Sequence, residues 1–155
     1  VWVRLDSLPS VVGHENYIFQ QNIGSSPWSA HWLYIDDGDD KIHVGTRNSS
    51  GTVYNVHSTG TLSVDTWYHI VVINPGDGET LIVYLNGSDV SASAGTFSGT
   101  LYEGLSNTCF GNAYGGAGTY FEGTIDSPAI WSRALTAGEV AELYNSGNGR
   151  THPFN

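Results

Sequence analysis

The 155-residue sequence has no methionine, one cysteine and five basic side chains, and each scarcity excludes something. With Cys109 alone there is no internal disulfide, and a buried, unreactive thiol is the expectation. Five Lys and Arg against fifteen Asp and Glu leave a formal charge of −10. That balance argues against binding nucleic acid through its phosphates, which needs clustered cations. It is compatible with calcium, with salty surroundings, or simply with solubility. No apolar run approaches the ~20 residues of a membrane span, so no span is expected, and no signal-peptide pattern is present. Six scattered histidines lack the short spacing of a histidine-rich zinc site. The missing methionine, in a chain that opens inside the apolar alternation Val1-Trp2-Val3, reads as a fragment or processed piece of a larger protein.

What is abundant points one way. Twenty glycines, fourteen Tyr and Phe beside five tryptophans, and many Thr and Val suit short strands joined by tight turns in one all-β domain spanning 1–155. Punctuation and alternation predict strands over 1–6, 16–22, 28–36, 41–47, 52–57, 67–74, 80–86, 107–111 and 120–132. Asp37-Gly38, Asp77-Gly78 and Asn86-Gly87 supply residues tolerant of positive φ where the chain must reverse. The last third is the most specific stretch. Phe121, Gly123 and Ile125 alternate with Glu122, Thr124 and Asp126, as in a half-buried strand. Thr136 followed by Glu139 is a capping box, Val140, Leu143 and Tyr144 form an apolar stripe, and Gly147 is a stop, which predicts one short helix near 137–145.

These residues resemble a family. The run from Phe121 to Tyr144 is similar to the F-x-G-x-I-D-x-x-x-I-W/Y-x-R-A-L-S/T-x-x-E-I/V-x-x-L-Y signature of laminin G-like, concanavalin A-like domains, in their bacterial, phage and pentraxin-related branch. Trp2-Val3-Arg4-Leu5, Thr66-Trp67-Tyr68-His69-Ile70-Val71 and Val83-Tyr84-Leu85-Asn86-Gly87 resemble three further blocks in family order. The resemblance implies a jelly-roll β-sandwich of two antiparallel sheets with one short C-terminal helix. It also implies one or two strands before Val1, so that upstream residues, a neighbouring domain or another subunit would complete an open sheet edge. Trp67 and Trp131, with Trp2, would be buried packing residues. Location would be extracellular, on a cell surface or on a virion.

The chemistry-bearing candidates are few. In Trp28-Ser-Ala-His-Trp-Leu-Tyr-Ile35 one strand face carries Trp28, Ala30, Trp32 and Tyr34, the other Ser29, His31, Leu33 and Ile35. Aromatic planes pack on the C–H patches of sugar rings, so such a strip can form a saccharide platform. A two-layer core would use the same stripe, although Leu33 and Ile35 compete for the inward face. His43 and His57 are candidate cross-strand neighbours. His57, Asn112 and Tyr114 are the polar candidates for a carbohydrate site beside Trp28, Trp32 and Tyr34. Asp36-Asp-Gly-Asp-Asp40 masses four carboxylates at a turn, but a twelve-residue calcium loop from Asp37 would end on Asn48 instead of glutamate, so a solvated turn is the simpler reading. Similar domains often bind calcium at the rim of the sandwich, which makes Asp126 the candidate calcium ligand. Asn48-Ser-Ser50 and Asn86-Gly-Ser88 fit the N-glycosylation pattern, with Asn86 first a turn residue.

Catalysis finds no support. Laminarinase relatives place their carboxyl pair in an E-x-D-x-x-E strand, which is absent, and Gly24-Ser-Ser-Pro lacks the second glycine of a nucleophile elbow. The expectation is a non-catalytic extracellular module that binds polysaccharide or glycoconjugate, calcium-assisted at most, and takes part in adhesion. The alternative is a structural or assembly domain of a virion or surface protein that contacts other subunits or domains of its parent.

Overall fold

The structure, a computed structural model, describes residues 1–23, 29–92, 95–102, 105–113 and 119–150, with the side chain of Ile23 outside that set. Two antiparallel sheets face each other. The first has the order β11-β1-β6-β7-β8, built from β1 (Trp2–Leu5), β6 (Trp67–Ile73), β7 (Ile82–Leu85), β8 (Ser88–Asp89) and β11 (Gly123–Asp126). The second has the order β10-β2-β3-β4-β5-β9, from β2 (Asn16–Ile23), β3 (Ser29–Ile35), β4 (Lys41–Arg47), β5 (Val53–Thr61), β9 (Ser91–Ala92) and β10 (Leu105–Phe110). This is the concanavalin A-like jelly-roll architecture expected.

Alternation builds the core. Val3, Leu5, Ile70 and Val83 of one sheet meet Ile18, Leu33, Ile35 and Val44 of the other, all buried. A second, smaller cluster lies on the outer face of the five-stranded sheet. There Val71 and Ile73 of β6 receive Leu135 and helix α2 (Ala137–Tyr144) through Val140 and Leu143. The helix begins as its sequence dictates. Thr136 accepts from the Glu139 amide, and the Glu139 carboxylate accepts from the Thr136 amide.

Four expectations are corrected. The strand expected over 120–132 ends at Asp126, because Ser127 takes a left-handed φ of 50° and Pro128 has no amide to donate; Ile130 is left 62% exposed. Trp67 is 43% exposed, since it lies at the start of β6 on the outer face, whereas Trp131 and Trp2 are half-buried against the helix cluster and His69. The open edge expected at the first strand is absent: β1 pairs with β11 on one side and β6 on the other. Cys109 is half-buried on β10 instead of buried. One further helical turn, α1 (Pro9–Val12), had no sequence expectation; Pro9 opens it and Gly13, at φ 79°, closes it.

Two of the turns behave differently. Asn86 and Gly87, at φ 51° and 79°, make the two-residue reversal between β7 and β8. Between β3 and β4 the positive φ falls on Asp40, at 53°, and not on Gly38. Asn48 is no glycan acceptor in this fold. It is buried, donates to the Ser98 carbonyl at 2.8 Å and accepts from the Thr52 amide at 2.8 Å.

Candidate functional site

Strand parity decides which residues β3 sends to each side. Leu33 and Ile35 enter the core, so Trp32 and Tyr34 emerge on the outer face of the six-stranded sheet. Antiparallel register extends that face sideways. Tyr17 lies opposite Tyr34, Tyr34 opposite His43, and His43 opposite His57. Their ring centroids are 5.0, 5.5 and 5.6 Å apart, with planes inclined by 20°, 34° and 25°. Four strands thus carry one unbroken row of four rings. Centroids this close exclude rings lying side by side in one plane, so the four rings form an offset, partly stacked run along the direction of strand pairing.

Trp32 is set differently. Its cross-strand partner is Gly45, and a β-carbon at that position would fall inside the indole. The indole therefore lies over the β4 backbone, where only glycine leaves room. Beside it on β2, Gln20 is buried and donates to the Ser29 hydroxyl at 2.6 Å. The outer face thus combines one recumbent indole with a neighbouring row of offset rings.

The ring edges are polar. Burial first, then the negative charges of Glu15 and Asp36, push the Tyr17 hydroxyl above its ordinary pKa. Burial and Asp36 do the same, more strongly, to Tyr34. Both phenols therefore stay protonated donors, and neither hydroxyl has a hydrogen-bond partner among the described residues. On β4, third in the row, His43 Nε2 sits 3.2 and 3.3 Å from the two Asp39 oxygens. Burial disfavours the Asp39 charge, but hydrogen bonds from the Lys41 amide and His43 prevail and hold its pKa below the usual carboxylate value.

Asp36, Asp39 and His43 bring one donor atom each to within 4.8 Å of one another, a set able to hold a metal ion. Two carboxylates and an imidazole suit a borderline metal better than calcium, which prefers oxygen alone. Lys41 Nζ stands 3.7 Å from Asp39 and already neutralises part of that charge. Asp126 belongs to no such group among the described residues; its carboxylate accepts from the Ser127 hydroxyl at 3.1 Å.

On the other side of the six-stranded sheet a cavity of about 580 Å³ opens between the layers. Its wall is mostly apolar, with His31 Nδ1 2.8 Å from the Thr46 hydroxyl as a polar point. Burial lowers the His31 pKa, so this imidazole favours its neutral form.

The family model for concanavalin A-like lectins and glucanases matches residues 1–141. The chain belongs to the concanavalin A-like superfamily. Among solved structures it is similar to a Bacteroides ovatus protein inferred to bind carbohydrate, with 19% identity and a TM-score of 0.64. That likeness covers 90% of this chain but 38% of the other, so the chain spans well under half of that protein. It is also similar to a heptameric SAP-like pentraxin from Limulus polyphemus, at 19% identity and a TM-score of 0.66, over 96% of this chain and 68% of that one. At such identity both likenesses speak for the fold alone. No curated protein matches the chain.

Of the residues expected at a site in this concanavalin A-like domain, the structure gathers Trp32, Tyr34 and His57 on one face. Trp28 and Tyr114 lie outside the described residues. Asn112 is exposed beyond β10, bridged to Tyr120. Sequence reasoning missed Tyr17 and His43 as members of the face. His43 was visible as a neighbour of His57, and the observed register confirms that pairing. Tyr17 was hidden by a bulge between Tyr17 and Phe19, which breaks the parity linking it to Gln20.

Proposed function

We propose that this domain is a non-catalytic carbohydrate-binding module, acting outside the cell or on a surface, and that it binds through the outer face of the six-stranded sheet. The observation that carries this reading is Trp32 lying over Gly45 beside the row Tyr17, Tyr34, His43 and His57. An indole offers C–H stacking, and ring edges with unpartnered hydroxyls offer the hydrogen bonds that orient a sugar. The shared fold of the Bacteroides ovatus protein is in keeping with such a role.

A glycosidase reading has less behind it. Asp36 and Asp39 are near neighbours, but a general acid needs a raised pKa and that of Asp39 is lowered. Any cation assistance would draw on Asp36, Asp39 and His43, so binding should be measured in EDTA, calcium and zinc.

A glycan array followed by titration calorimetry tests the proposal. Saccharide binding is expected, and Trp32→Ala should weaken it at least tenfold while leaving the far-ultraviolet spectrum unchanged, since truncating an aromatic anchor at the centre of a site costs about 2 kcal/mol or more. Absence of binding to every saccharide in all three metal conditions, or unaltered affinity in Trp32→Ala, would refute it.

A further inference from the structure

The ring row also defines what shape of saccharide fits, an inference that rests on the carbohydrate reading above. Three features bear on it. The row is one ring per strand, so its 5.0–5.6 Å spacing follows the spacing of the strands themselves. One pyranose unit advances an extended glycan by about the same distance. The row crosses β2, β3, β4 and β5 as a surface feature, not as the end of a pocket, so a chain could continue past either side. Finally, an offset-stacked run offers ring edges more than open faces. Tyr17 and Tyr34, on adjacent strands, bring hydroxyls with no hydrogen-bond partner among the described residues.

Charge narrows the class further. Asp36 and Asp39 lie at this face with Lys41 offsetting only part of the Asp39 charge, Glu15 and Asp36 both act on Tyr17, and the whole chain carries −10. A uronic or sialic acid would meet like charge there.

We infer that the site takes the interior of an extended, unbranched, neutral glycan laid across the strands, with about one sugar unit per ring of the Tyr17, Tyr34, His43 and His57 row and Trp32 stacking alongside. Recognition of internal units differs from recognition of a chain end, which would need a walled pocket to count the terminus. It also assigns Tyr17 a specific task, donating from its hydroxyl to a sugar oxygen at one end of the row.

Titration calorimetry with cello-, xylo- and chito-oligosaccharides of one to six units tests this. Affinity in at least one series should rise about tenfold or more from two units to four and then level off, because the row has four rings. Borohydride reduction of the terminal unit of the hexamer should leave its affinity unchanged. Tyr17→Phe and Tyr34→Phe keep the rings and their stack, so each should fold normally and lose about threefold to tenfold in affinity, the value of one hydrogen bond. Monosaccharides competing as well as tetramers, loss of binding on terminal reduction, or no binding in any of the three series would overturn the inference. If array saccharides bind while these ladders fail, this inference falls alone; if nothing on the array binds, the carbohydrate reading falls with it.

Discussion

Gly45 is the residue on which the outer face turns. Its lack of a side chain lets the Trp32 indole lie over β4, and even a methyl group would collide with the ring system. Gly45→Ala should therefore lift the indole off the sheet and destabilise the fold by about 1–3 kcal/mol, as overpacking does. A shifted tryptophan emission with a lower urea midpoint would be the signature, and an unchanged midpoint would show that the indole is not so placed. His69 makes a different residue-scale case. It is 4% exposed and packs in a three-ring cluster with Trp2 and Tyr144, whose centroids lie 5.0 and 6.2 Å from it and 6.0 Å from each other, and burial, then the N-terminal ammonium, lowers its pKa to about 4. The unfolded chain takes up a proton near pH 6.5 that the folded one refuses until about pH 4. Stability is therefore complete above pH 6.5 and declines as pH falls towards 4, by roughly 3 kcal/mol in all. Nδ1 of His69 has no hydrogen-bond partner among the described residues, so His69→Phe keeps the ring cluster and should make the fall in urea midpoint between pH 7.5 and 4.5 clearly smaller, with His31 supplying part of what remains. An undiminished slope after the substitution would assign it to other groups.

Elements were legible in the sequence wherever a local interaction fixes them. The capping box of α2 was readable from Thr136 and Glu139 because both partners lie within one turn, and the Asn86-Gly87 reversal because positive φ selects those residues. Thr136→Ala should cost about 1 kcal/mol, seen as a lower thermal midpoint. The Arg133 guanidinium, then the Thr136 amide, lower the Glu139 pKa to about 2, so the box holds above pH 4.5 and is lost as pH falls from there towards 2. That window meets the one assigned to His69 only between pH 4 and 4.5, so readings above pH 4.5 isolate the histidine. The strand predicted through 132 failed at Ser127 and Pro128, where a proline written in the sequence outranked apolar content at Ile130 and Trp131. The candidate site was half legible. Leu33 and Ile35 gave the outward direction of Trp32 and Tyr34 from one strand alone. Tyr17 needed the register of a second strand and its bulge, and the pairing of Trp32 with Gly45 needed a third, which are tertiary facts that no local pattern encodes.

At the scale of the whole molecule, closure comes from the two ends of the sequence. β1 is held by β6 on one side and by β11, more than a hundred residues later, on the other, and the chain then returns as α2 over the outer face of the same sheet. Core residues of that sheet, such as Ile70, pack directly against the backs of the strands that carry the ring row. The helix face and the ring face are therefore opposite outsides of one shared core, and neither sheet keeps a buried face without the other. Loosening the helix should be felt across the sandwich. Leu143→Ala, in a buried position against Val71 and Ile73, is expected to cost about 2–4 kcal/mol and lower the thermal midpoint by several degrees. The decisive reading is coincidence. Far-ultraviolet ellipticity, which follows both sheets, and near-ultraviolet ellipticity, to which the Tyr17, Tyr34 and Trp32 rings contribute, should shift together as a single transition. A ring signal that stays at the wild-type midpoint while the backbone signal moves would mean that the six-stranded sheet stands alone, and that the two layers are not one cooperative unit.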